Sequence, residues 1–147
     1  MIWSQNHKVV ASLDTGTTAS SGTATLTIDR LDYDHASIAV LRASNSNTVF
    51  ASVLKVQESD DNSSYSDITA LVGGGVGGFS IPAIPTAATA STSILKIDVD
   101  CRNRKRYLKV LMTPATACNV AFEARLGRPH VSPASASDAG CIGLVNG

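Results

Sequence analysis

Strict alternation of apolar and polar residues in short runs is the feature that most limits how this chain can fold. In residues 23–29 a strand would place Ala24, Leu26 and Ile28 on one face and polar side chains on the other. Six further runs are typical of strands, and no segment shows a convincing helical period. These runs are 8–13, 36–43, 50–58, 93–100, 107–113 and 118–126.

The runs predict an all-β protein, a jelly-roll-like antiparallel sandwich or barrel of about seven or eight strands. The 147 residues suit one domain. We expect an N-terminal arm at 1–7, a β domain at 8–127 with a long loop rich in glycine and proline at 70–92, and a C-terminal arm at 128–147. Such segments bury too little apolar surface for a core of their own, so we expect them to lie extended against a neighbouring subunit.

Charge and cysteine content exclude several classes of function. Twelve basic and twelve acidic residues balance, so no overall field would attract nucleic acid or an anionic membrane. No apolar run is long enough to span a bilayer and no signal peptide is recognisable, so we expect a soluble protein made in the cytoplasm. The three cysteines, Cys101, Cys118 and Cys141, lack a CxxC spacing, which argues against a disulfide framework and a zinc site. We expect no cofactor.

The acidic stretch 59–64 is either a hairpin tip or a cation site. Its aspartates, Asn62 and serines are the side chains that close turns, and strand-like residues flank it on both sides. A calcium site would need four or more converging oxygens, and only Asp60, Asp61 and Asp67 are at hand. We therefore predict a hairpin tip and no bound metal.

The basic cluster at 102–106 lies between two predicted strands, where a solvated connection belongs. Contact with an acidic partner surface is the alternative. Without interleaved aromatic residues, the cluster is a weak nucleic-acid signal.

An enzymatic alternative begins at Asp14-Thr15-Gly16, which resembles the catalytic loop of retroviral-type aspartic proteases. The glycine run at 73–79 resembles the flap of those enzymes, and residues 126–128 resemble their late apolar-Gly-Arg element. Such enzymes pair two loops so that two carboxylates share a proton. One chain offers one such loop, and several predicted strands separate it from the glycine run, so we expect no enzyme.

Three phrases, in order, resemble a group of small phage virion proteins that act as capsid cement or decoration proteins. The phrases are Asp32-Tyr-Asp-His-Ala-Ser-Ile38, Leu54-Lys-Val-Gln-Glu-Ser-Asp-Asp-Asn-Ser63, and Lys105-Arg-Tyr-Leu-Lys-Val110 with Thr113-Pro114. The resemblance implies a jelly-roll-like homotrimer on the outer surface of an icosahedral head, where it bridges major capsid protein subunits. It implies no catalytic residue.

Candidate contact residues follow from composition and from this resemblance. Ile2 and Trp3 are possible hydrophobic anchors, although Trp3 could equally pack on its own domain. The glycine loop around Val76 and Phe79 is expected to line the trimer axis or to reach an adjacent protomer or the capsid, and Phe79 is expected to be exposed. The basic members of the interface are Arg102, Arg104, Lys105 and Arg106. A receptor- or glycan-binding domain of a phage tail is the other class, although few aromatic residues are available for sugars.

Overall fold

The computed structural model describes residues 6–13, 18, 21–85, 91–130 and 137–142. It confirms the all-β fold class, with eight strands and no helix in those ranges, hence none that could cross a membrane. The strands are β1 (Lys8–Leu13), β2 (Ala24–Asp29), β3 (Tyr33–Arg42), β4 (Val53–Ser59), β5 (Ser66–Val72), β6 (Ser93–Asp100), β7 (Tyr107–Thr113) and β8 (Val120–Pro129).

The strands form two four-stranded antiparallel sheets. Sheet I has the order β1-β8-β3-β6, and sheet II has the order β2-β7-β4-β5. Within the described ranges only β4 and β5 pair with their neighbour in the chain; the other connections pass from one sheet to the other. This crossing pattern makes the sandwich jelly-roll-like.

The core lies between the inner faces of the two sheets. Ile38 and Leu126 of sheet I and Leu54, Val110 and Met112 of sheet II have no exposed surface. Each belongs to the apolar half of an alternating run, so the period of two in the sequence is the period of burial in the structure. Burying this surface is the main favourable term in folding.

Several predicted boundaries are wrong by a few residues; β4, for example, begins at Val53 and not at residue 50. Strand β5 runs to Val72, so the glycine-rich loop begins after it and not at residue 70; β8 runs to Pro129, so the β domain does not end at 127. Strand β3 begins at Tyr33 because Tyr33 pairs with Pro129, a contact that the local sequence does not reveal.

The described part of the C-terminal segment, 137–142, packs on its own domain. The Val9 amide of β1 donates to the Ala139 carbonyl at 2.7 Å, which covers part of the outer edge of sheet I. Gly140 follows with φ +74°, and an added Cβ would lie 2.0 Å from the Val9 carbonyl oxygen. The predicted arm is therefore docked, not extended, over these residues.

The two ends of the sandwich differ in charge. The charged end consists of connections 30–32, 60–65 and 101–106 with the end of β8, and it carries most of the ion pairs. The uncharged end consists of the described residues of connections 14–23, 43–52, 73–92 and 114–119, with the adjoining strand ends. The described residues of those connections include no Asp, Glu, Lys or Arg. The antiparallel topology brings these segments, remote in sequence, to the same end.

Candidate functional site

The uncharged end presents an unusual concentration of exposed apolar side chains. Of the seven large apolar side chains that are exposed in the described residues, five lie there. Val76 is 99% exposed and Leu13 is 72% exposed. Exposed apolar side chains are ordinary when scattered, whereas several of them at one end of a domain make that end a candidate interaction surface. The five, which we call the apolar group, are Leu13, Val49, Val53, Val76 and Ile94.

Arg42 holds the connection after β3 in place. This side chain is only 1% exposed, and its guanidinium donates to the carbonyl oxygens of Asn47 at 2.7 Å and Val49 at 2.9 Å, and to the side chain of Asn45. A buried cation without its acceptors would be strongly destabilising, so these oxygens and Arg42 depend on one another. The side-chain amide of Asn47 also donates to the Thr116 hydroxyl at 2.9 Å, which joins this connection to 114–119.

The glycine-rich loop presents Val76 and buries part of Phe79. Gly74 and Phe79 are joined by a hydrogen bond of 2.8 Å, and Gly74 and Gly77 have positive φ, so the loop turns sharply back towards β5. Val76 lies at the tip, as an exposed contact residue should. Phe79 packs against the core instead, so its predicted exposure is wrong.

The predicted basic contact cluster lies at the opposite end and is balanced by acids of the same chain. Its four cations face Asp100, Glu58, Asp60 and Asp29 respectively, at 2.5–3.5 Å. Arg106 hydrogen-bonds to Asp29 and lowers the pKa of that carboxyl. The cluster is a solvated connection between β6 and β7, as predicted. Its contact with a partner remains a prediction.

Other predicted candidates are not brought together. Ile2, Trp3 and Asp14-Thr15-Gly16 fall outside the described residues. The glycine run 73–79 lies at the uncharged end, whereas residues 126–128 lie at the charged end of β8, inside the strand. Within one chain, these two elements are therefore not brought together.

The acidic stretch is a hairpin tip, as predicted. The Asp61 carboxylate accepts hydrogen bonds from the amides of Ser63 at 2.9 Å and Ser64 at 2.8 Å, and from the Ser59 hydroxyl at 2.7 Å. The backbone amide of Ser64 and then that of Ser63 do most to lower the pKa of Asp61. Within the described ranges, no three potential ligands converge on a metal position.

A second surface feature, which sequence reasoning missed, is a polar platform with one aromatic residue, Tyr65, on the outer face of sheet II. The Lys109 ammonium lies 3.6 Å from the ring centroid of Tyr65. Beside it, Asp67 accepts from Gln57 at 2.7 Å and pairs with Lys55 at 3.0 Å. The outward alternation of Lys55 and Gln57 was visible in the sequence, but not their approach to Tyr65 and Asp67 across the hairpin. We call these five residues the sheet II platform.

Comparisons with known proteins give structural likeness only. No family model and no curated protein matches the chain. Among solved structures, it is similar to CBM32-1, a carbohydrate-binding module from a family 31 glycoside hydrolase of Clostridium perfringens, at 14% identity and a TM-score of 0.45, over 82% of this chain and 94% of that one. It is also similar to CBM35 of Cellvibrio japonicus Abf62, at 10% identity and a TM-score of 0.42, over 86% and 97%. At these values no function transfers.

We predict that replacing Arg42 by methionine destabilises the fold by about 3 kcal/mol, because oxygens that accept from its guanidinium lose a charged donor. Chemical denaturation measures the free energy of unfolding. Arg102→Met is the matched control, since Arg102 is exposed and its pair with Asp100 is solvated. Equal stability of the two variants would contradict the role of Arg42.

We predict that Asp61→Asn lowers the melting temperature at pH 7 and that the difference from the wild type narrows in acid. The folded-state pKa of Asp61 is lowered, so its stabilising contribution is complete above the unfolded pKa, about 3.9, and is lost as the pH falls through the lower folded value. Thermal melts from neutral to acidic pH measure it. Asp60→Asn, one residue away, should have a smaller effect at pH 7; a difference for Asp61→Asn that does not change with pH would contradict the prediction.

Proposed function

We propose that the protein is a non-catalytic structural module of a phage virion. In this proposal its uncharged end docks on the outer surface of an assembled icosahedral head and bridges subunits of the major capsid protein. The observation that carries the proposal is the apolar group, set among connections whose described residues lack charged side chains.

The physical properties of this end suit a protein interface. Interface cores are depleted in charge and interface rims are polar, which matches an apolar group surrounded by the Ser, Thr and Asn of the connections. Removing apolar surface from water contributes about 25 cal/mol per Å². The connection held by Arg42 and the turned glycine loop are ordered by contacts within the chain, which reduces the entropy lost on docking.

The resemblance to capsid decoration proteins supplies the choice of partner. Two of its three phrases lie side by side in the fold. Asp60 and the Lys105 side chain are 3.1 Å apart, and the Lys105 amide donates to Glu58 at 3.2 Å. The two phrases therefore meet at the charged end, where the hairpin tip and connection 101–106 lie side by side.

The mechanism would be thermodynamic. A protein that binds the assembled head, and not the dissociated subunits, stabilises the assembled state by mass action. Contacts from one oligomer to several capsid subunits would add through effective concentration. The homotrimer implied by the resemblance remains a prediction.

We predict that the double variant Val49→Asp/Val76→Asp binds expanded heads at least about tenfold more weakly than the wild type, because two carboxylates would be desolvated on docking. The probe is heads assembled from the major capsid protein of the same phage and stripped of minor proteins. Co-sedimentation gives the affinity, and cryo-electron microscopy shows whether density is added at regular lattice positions.

Ser63→Asp is the matched control, because it adds a carboxylate at the hairpin tip of the charged end. It should bind as the wild type does. Heads left bare by the wild type, or bound equally by the double variant, would contradict the proposal.

Glycan binding, as in a receptor-binding domain of a tail, is the second candidate, and the sheet II platform favours it. Tyr65 offers an aromatic ring, while Asp67, Gln57 and Lys55 offer donors and acceptors at the same surface. It ranks second because these groups are already engaged with one another: Lys109 lies over the ring, and Asp67 has two partners within the chain. A sugar would have to replace those contacts.

We predict from this second candidate that Tyr65→Ala abolishes retention on any glycan that the wild type binds on an array of bacterial surface polysaccharides. Val76→Asp, at the tip of the glycine-rich loop and outside the platform, is the control that should leave retention unchanged. No retained glycan, or retention that survives Tyr65→Ala, would remove this candidate and leave the docking proposal unaffected.

A further inference from the structure

The outer face of sheet I has a regular arrangement of side chains. Strand β3 lies at its centre, between β8 and β6, and the register aligns outward residues of the three strands in rows. The residues between them along each strand point inwards and are buried, or partly buried in the case of Leu95, which identifies the outward set. From the uncharged end, the rows are Ala121-Leu41-Ile94, Glu123-Ala39-Lys96 and Arg125-Ser37-Asp98.

Small side chains make the middle of this face shallow and accessible. Ser37 and Ala39 of β3 form the floor of a depression of about 350 Å³, and the longer side chains of β6 and β8 form its walls. The low floor leaves room for side chains of a second sheet, and stacked sheets pack about 10 Å apart when their facing side chains fit.

The charges of the two walls are arranged with opposite signs. In the row of Ala39, the acid Glu123 is on β8 and the base Lys96 is on β6; in the row of Ser37, the base Arg125 is on β8 and the acid Asp98 is on β6. A twofold axis parallel to β3 would exchange β8 and β6 between two copies. Every charge would then face its opposite: Glu123 would face Lys96 of the second copy, and Arg125 would face its Asp98.

From this self-complementarity we infer that the outer face of sheet I binds the same face of a second copy of this chain, about a twofold axis along β3. The apolar row fits the same operation. Ile94, which is 66% exposed, would lie on the small Ala121 of the second copy, and the two Leu41 side chains would meet at the axis.

Contacts within the chain already hold the four charges near these positions. Lys96 and Asp98 are 2.9 Å apart on β6, and Arg125 and Glu123 are 2.6 Å apart on β8. Pairing would give each charge a second opposite partner, so the four pairs would form one network, in which ion pairs contribute more than they do singly.

The expected affinity is modest. Three strands overlap about this axis, because β1 has no facing strand; at about 4.8 Å spacing and seven residues at about 3.3 Å rise they give a face of roughly 15 by 25 Å. That is below the roughly 800 Å² per partner that standard interfaces bury, so we expect weak dimerisation, in the micromolar range or above. Of the apolar group, Leu13 and Ile94 lie on this face, and the pairing would cover Ile94; Val49, Val53 and Val76 lie outside it. An isologous contact closes after two copies.

Two charge reversals test the inference through a mixing experiment. Lys96→Glu alone places two glutamates opposite each other at both symmetry-related contacts, and Glu123→Lys alone places two lysines there. We expect each variant to raise the dimer dissociation constant at least about tenfold. An equimolar mixture of the two variants should dimerise again, to within about threefold of the wild type, because glutamate then faces lysine at both contacts. Sedimentation velocity over a wide concentration range measures all three dissociation constants.

Lys55→Glu is the matched control, since it makes the same charge change on the outer face of sheet II. It should dimerise as the wild type does, and circular dichroism verifies that each variant folds. A wild type that stays monomeric, single variants that dimerise normally, or a mixture that fails to recover would each overturn the inference. Loss of head binding in Val49→Asp/Val76→Asp with dimerisation retained would separate this interface from the docking site.

Discussion

The rest of the structure depends on burial of one face of every strand between two sheets. An isolated four-stranded sheet cannot remove its apolar face from water, so sheets I and II stabilise each other through side chains such as Ile38, Leu54 and Val110. This requirement directs the other half of each alternating run outwards. It also sends the connections to the two ends of the sandwich, where they are free to differ in chemistry.

The two ends use that freedom in opposite ways. At the charged end, opposite charges from distant parts of the chain neutralise one another, as Arg106 and Asp29 do. At the uncharged end the described residues of the connections include no Asp, Glu, Lys or Arg, and Arg42 is buried among carbonyl and amide oxygens beneath them. The charged end is well solvated by itself. At the uncharged end, contact with another molecule would remove exposed apolar side chains from water, which is why the docking proposal places the partner there.

Sequence patterns predicted strands well where alternation was regular. Strands β6 and β7 have the predicted bounds, and β2 differs by one residue. Strand β5 was only partly anticipated, because Ser66–Val72 lacks clean alternation and its register with β4 is irregular. Val76 is exposed at the tip of the glycine loop. The predicted exposure of Phe79 was wrong, because its partial burial depends on the loop turning back towards β5.

Within this protein, alternation, turn-forming residues and charge balance by themselves determined the all-β class, the inward set of each strand and the hairpin tip at Asp61. These properties follow from neighbours in the chain, since a period of two or an aspartate-closed turn is local physics. The tertiary structure decided which strands lie side by side, which acid neutralises each base, and that the apolar group gathers at one end. Those outcomes depend on contacts between residues far apart in sequence. Arg106 and Asp29, 77 positions apart, meet only because β2 pairs with β7.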